Sequence, residues 1–84
     1  MGYVIFEVKT EDTSKIKKLS DDDLISRQSI LTRDASSLGL EGDVSYLKVE
    51  GSEEGVKKAE NIADELGFKK LDEDKASEVN QKIQ

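Results

Sequence analysis

The sequence predicts an α+β fold, a two-layer sandwich in which helices cover one face of a mostly antiparallel sheet. Two stretches carry that reading. Tyr3 to Lys9 is rich in aromatic and β-branched residues and alternates in polarity, as a strand does. Asp43 to Leu71 reads in order as a strand, a tight turn, a capped helix, a Gly stop and a short strand. No run approaches the roughly 18 apolar residues of a membrane span.

Each element follows from its residues. In the first strand Val4, Phe6 and Val8 share one face, while Tyr3, Ile5, Glu7 and Lys9 share the other. Its apolar start on both faces marks an interior strand. Glu11 to Leu19 fits a short helix capped by Asp12 or Thr13, with Ile16 and Leu19 on one side. Ser20 to Leu40 supports two readings. One is a helix with Ser20 as its cap, Asp21 to Asp23 in its first turn and Gly39 as its stop. The other, which is preferred, is a strand near Ile25 to Arg33 followed by a loop from Ser36 to Gly42, because the serines and threonine here are mediocre helix formers. That strand would pair with Asp43 to Glu50, in which Ser45, Leu47 and Val49 oppose Val44 and Tyr46. Gly51 turns the chain and Ser52 caps a helix to Leu66, with Val56, Ala59, Ile62, Ala63 and Leu66 as its buried stripe. Gly67 suits a left-handed helix end, and Phe68 to Leu71 is long enough for a short strand. Asp72 caps a last helix with Ala76, Val79 and Ile83 in a thin apolar stripe. The order β-α-β-β-α-β plus a C-terminal helix suggests a ferredoxin-like arrangement. A helix over residues 20–38 would imply a small parallel sheet instead.

Composition bounds the function. The chain of 84 residues is read as one small domain, residues 1–84. A core this size supplies a stability of about 3–5 kcal/mol. A net charge of −6 argues against nucleic acid and anionic membranes, both of which draw affinity from Lys and Arg. With no His and no Cys, imidazole catalysis, thiolate nucleophiles and Cys metal sites are excluded. No signal peptide is visible, so a soluble, cytoplasmic domain is expected. No cofactor and no metal are expected.

Candidate sites are few. Gly51-Ser52 before a helix resembles an anion-binding turn, but Glu53 and Glu54 follow at once and favour a plain N-cap. Asp21, Asp22 and Asp23 are oxygen donors, yet consecutive residues do not converge and the calcium-loop spacing is missing. Ser14 and Lys17 match the Ser-x-x-Lys spacing without its companion motifs. The nineteen carboxylates include no pair that spacing singles out for acid–base work. Lys15, Lys17, Lys18, Arg27 and Arg33 form the basic-rich stretch, interrupted by Asp21 to Asp23. Tyr3, Ile5, Val44 and Tyr46 would lie on the sheet face away from the helices, where an open apolar patch would dock a protein partner or a second copy; the alternative is that the C-terminal helix or a loop covers that face.

The stretch Tyr46 to Leu66 resembles the last strand and helix of KH-type RNA-binding domains: a strand, a Gly, an acidic turn, then the spacing of Val56, Ala59 and Ile62. It is also similar to strand–helix pairs in TATA-binding-type and other sheet-and-helix folds. Gly39-Leu40-Glu41-Gly42 has the KH Gly-x-x-Gly spacing, although it precedes a strand and carries an acid. The resemblance implies nucleic-acid binding as the alternative function and carries over no site residues; the residues that would serve it are those of the basic-rich stretch, Lys15, Lys17, Lys18, Arg27 and Arg33. The primary expectation is a small non-enzymatic interaction or regulatory domain.

Overall fold

The computed structural model describes residues 2–83. Its centre is the antiparallel pair of β1 (Gly2–Lys9) and β3 (Val44–Gly51), registered without a break from Gly2 opposite Gly51 to Lys9 opposite Val44. β2 (Ser29–Asp34) pairs antiparallel with the far side of β3, and β4 (Lys69–Lys70) pairs with the far side of β1. The four strands lie in the order β2-β3-β1-β4. β1 and β2 therefore run the same way with β3 between them, and β3 and β4 run the same way with β1 between them. The expected α+β class and mostly antiparallel sheet are present.

The helical segments divide between the two faces. α1 (Ile16–Ser20) and α2 (Glu53–Glu65) lie on the face of Val4, Phe6, Val8, Leu47 and Val49. Leu19, Ile25, Ala59, Ala63 and Phe68 complete that core, with Val56, Ile62 and Leu66 packed against it. The two alanines let α2 sit close on the sheet. α3 (Glu73–Ile83) lies on the other face, where Val79 and Ile83 join Ile5, Tyr46, Ala35 and Leu71. The expectation of helices on one face is thus corrected: the sheet is sandwiched between helices. The reason is that β1 and β3 carry apolar residues on both sides. Burying Val79 and Ile83 contributes about 1.5–3 kcal/mol each relative to exposure, enough to hold α3 down.

Residues 20–38 resolve as turn and strand, with no helix spanning them. Asp22 explains why the strand begins at Ser29 rather than Ile25. Its Oδ1 accepts from the Leu24 N–H at 2.9 Å and the Ile25 N–H at 3.1 Å, which bends residues 25–27 into a 3-10 turn and drives Ile25 into the core. The expected helix over Glu11 to Leu19 is a 3-10 segment (Thr10–Lys15) running into the short α1. Neither Asp12 nor Thr13 caps it; the Thr13 hydroxyl donates to the Thr10 carbonyl at 2.9 Å.

The expected caps of the later helices are in place. Ser52 Oγ accepts from the Gly55 N–H at 3.1 Å, and Asp72 Oδ1 accepts from the Lys75 N–H at 2.8 Å. Gly67 ends α2 with φ of 80°, and the Phe68 N–H returns to the Ala63 carbonyl at 2.9 Å.

Gln28 ties β2 to the start of α2. Its Oε1 accepts from the Ser52 N–H at 2.9 Å and its Nε2 donates to the Leu24 carbonyl at 3.0 Å. Its side chain lies directly on Gly51 and Gly55, where a Cβ would collide with it. A Gly→Ala change early in a helix ordinarily stabilises by up to about 1 kcal/mol. Here Gly55→Ala should instead destabilise, because Gln28 must leave both hydrogen bonds. In a Gln28→Ala background the same change should become neutral or stabilising. Urea unfolding of the two single variants and the double variant checks this reversal of sign.

Asp22 also pairs with Lys58 Nζ at 2.9 Å. The Lys58 hydrogen bond first, then the N–H groups of Ile25 and Leu24, hold its carboxyl below its ordinary value of 3.8. A carboxyl depressed by folding stabilises the native state above its unfolded pKa, and that contribution is lost as pH falls through the folded pKa. Asp22→Asn should therefore lower the urea midpoint at pH near 7, with the gap to the parent closing below the ordinary value of 3.8.

Candidate interaction surface

The sheet brings the four expected contact residues to one side. Tyr3 lies opposite Glu50, Ile5 opposite Lys48, Glu7 opposite Tyr46 and Lys9 opposite Val44. α3 occupies that side, so the expectation of an open face is corrected. Ile5 is 1% exposed and Tyr46 2%, both inside the second core, and Val44 is half-buried against it. Tyr3 alone of the four remains open, at 37%. Beside it Lys48 is nearly buried, its ammonium 5.2 Å from the Tyr3 ring centroid and 3.4 Å from Glu50 Oε1. A shallow groove of about 400 Å³ runs from Tyr3 past Leu71 to Ala76. Its charged lining residues are Lys70 and Glu73, and the rest of the lining is mostly apolar.

The basic residues do not gather in one groove. Lys15 and Lys17 belong to the helical segment over the first core, where each is held by an acid, Asp12 at 3.3 Å and Asp21 at 3.1 Å. Lys18 and Arg27 are exposed nearby in sequence. Arg33 pairs with Tyr46 across the ladder and so emerges on the opposite side of the sheet. Asp21, Asp22 and Asp23 diverge: one binds Lys17, one builds the turn, and the carbonyl of the third accepts from Ser26 at 2.9 Å. Among the described residues no group of three acids converges as a metal site. Ser14 and Lys17 are both exposed, and Lys17 is engaged by Asp21. The α2 start is closed by Ser52 and Gln28. Gly39-Leu40-Glu41-Gly42 is a loop between β2 and β3 whose two glycines take positive φ, 73° and 113°.

With both faces covered, the open parts of the sheet are its edges. The phase of β2 follows from the Ala35 N–H, which donates to the Val44 carbonyl at 3.0 Å. In an antiparallel ladder both polar groups of a residue point the same way, alternating along the strand. Leu31 and Arg33 thus bond inward to β3, and the N–H and C=O groups of Ile30 and Thr32 point outward. The Thr32 carbonyl accepts from Arg33 Nη1 at 2.8 Å. The edge holds no Lys and no Pro, and its register with β3 is continuous. Ile30, Leu31 and Thr32 are half-buried. The opposite edge, β4, consists of two exposed lysines, which is how edges are normally guarded. Pattern reading finds β2 as a strand but carries no signal of which strand ends the sheet; that needs the strand order.

No family model, curated protein or solved structure significantly matches the chain. Among the described residues no helix is long and apolar enough to cross a membrane.

Burial of Tyr46 makes a direct test. Tyr46→Glu would place an unpaired charge between the sheet and α3, which costs several kcal/mol. In a domain worth about 3–5 kcal/mol the variant should be unfolded by circular dichroism at 25 °C. A cooperatively folded variant of near-parental stability would mean the face is open.

Proposed function

We propose that the chain is a small, non-enzymatic interaction domain that engages a protein partner or itself through the sheet, and that the contact is the outer edge of β2. One observation carries this reading: a six-residue edge strand whose Ile30 and Thr32 backbone groups point outward, with the Thr32 carbonyl met by Arg33 of the same strand, while the opposite edge is guarded by Lys69 and Lys70. Strand addition at such an edge draws affinity from main-chain hydrogen bonds and specificity from alternate side chains. The half-buried Ile30, Leu31 and Thr32 would give that contact an apolar centre. Tyr3, Lys48 and Glu50 lie across the sheet from Leu31 and Ser29 and would border the site.

Two interleaved crossovers, β1 to β2 around β3 and β3 to β4 around β1, with α1 and α2 on one face, support a ferredoxin-like topology extended by α3.

Selection of displayed linear peptides tests the edge. Enriched peptides should shift the amide signals of Ile30 and Thr32 and should lose binding to Thr32→Pro, which removes an outward donor but leaves the β3 ladder intact. Peptides that bind with shifts only elsewhere, or no enrichment together with no shift of these amides on self-concentration, would contradict the reading.

A further inference from the structure

We infer that the β2 edge takes a second copy of this chain, in antiparallel register centred on Leu31, to give a continuous sheet across a two-fold axis. This rests on the edge being the contact surface and names its occupant.

Antiparallel pairing of two identical strands sets the two-fold axis along the sheet normal, so each side chain meets one on its own face. Only residues of matching parity can then oppose one another. Hydrogen-bonded positions must also be filled by outward residues, which are Ile30 and Thr32. Three registers bring these residues to the seam, but centring on Ile30 would set Leu31 against Ser29 and Thr32 against Gln28, which lies outside the strand and is held by Leu24 and Ser52. Centring on Thr32 would set Leu31 against Arg33 and Ile30 against Asp34, an apolar side chain against a charge each time. Centring on Leu31 sets Ile30 against Thr32 twice, each pair exchanging both backbone bonds, and Leu31 against Leu31. β-branched pairs then meet on the α2 side and a leucine pair on the α3 side.

Charge favours the same register. It places Arg33 opposite Ser29 of the second copy. Ser29 is small, and its β3 neighbour is Glu50, a half-exposed carboxylate on the same face. The guanidinium that occupies the Thr32 carbonyl in the single chain is then released toward that carboxylate, freeing the carbonyl for the Ile30 N–H. Both events occur twice by symmetry. On a chain with net charge −6 this is the arrangement in which a cation of one copy approaches an anion of the other along the seam. A single edge ladder is smaller than a stable interface, so the dimer should be weak, with Kd of about 0.1–1 mM.

The absence of Cys makes the register measurable. Across a non-hydrogen-bonded pair the Cα atoms lie about 4.5 Å apart, within disulfide reach. Two Thr32 residues would lie about 8 Å apart, outside it. Leu31→Cys, Thr32→Cys and Ser37→Cys as an off-edge control are oxidised at about 1 mM and read on non-reducing gels. The expected result is covalent dimer at least about tenfold faster for L31C than for the other two, and slowed when Thr32→Pro or Thr32→Lys is added. In the parent, amide shifts of Ile30 and Thr32 should move with self-concentration. Faster linking of T32C would overturn the register. Equal, slow linking in all three with no self-dilution shifts would overturn self-pairing. If selected peptides still shift Ile30 and Thr32 in that case, the edge reading stands with another occupant; if they do not, both readings fall.

Discussion

β1 and β3 are the two central strands, and each must be covered on both sides. Val4, Phe6, Val8, Leu47 and Val49 need one cover; Ile5 and Tyr46 need another. The first cover comes from α2, fitted closely through Ala59 and Ala63 and completed by Leu19 and Ile25. The second comes from α3, whose apolar stripe is narrow. A chain this short has little surplus core, so neither cover is dispensable. The Gln28 side chain over Gly51 and Gly55 and the Asp22 turn fix how the first cover meets the sheet.

This double coverage decides where function can reside. Among the described residues, faces filled by helices leave no broad apolar patch, and the exposed Tyr3 is bordered by the Lys48–Glu50 pair. The charged side chains are dispersed or engaged in short-range pairs such as Lys17 with Asp21 and Lys58 with Asp22. What the sheet leaves open is backbone, along β2. The contrast between the two edges is chemical: two lysines make up β4, whereas β2 presents Ile30, Leu31 and Thr32 and confines its charges to Arg33 and Asp34 at one end.

Much of the fold was legible because its signals are local. Alternation in Tyr3 to Lys9, the Ser52 cap, the α2 stripe and the Gly67 stop are each read within a few residues. The turn at Asp22 was less legible, since an Asp accepting two N–H groups ahead of Ile25 looks in sequence like a helix start. Placement of α3 was legible only as one of two alternatives. Its stripe of Ala76, Val79 and Ile83 states that it packs, but not on which face, because that depends on the direction in which the chain leaves β4. The candidate contact residues inherited that ambiguity: Ile5 and Tyr46 share a face as expected, and the face is interior. The β2 edge was hidden for a related reason, since being outermost is a property of the strand order.

Native-state hydrogen exchange at increasing denaturant tests the central claim most directly. If both covers belong to one cooperative core, the amides of Val79 in α3, Ala63 in α2 and Leu47 in β3 should open with the same free energy and the same denaturant dependence. An α3 amide that opens well below the global free energy, while Leu47 and Ala63 stay protected, would show that the second cover is optional and would contradict a sheet sealed on both faces.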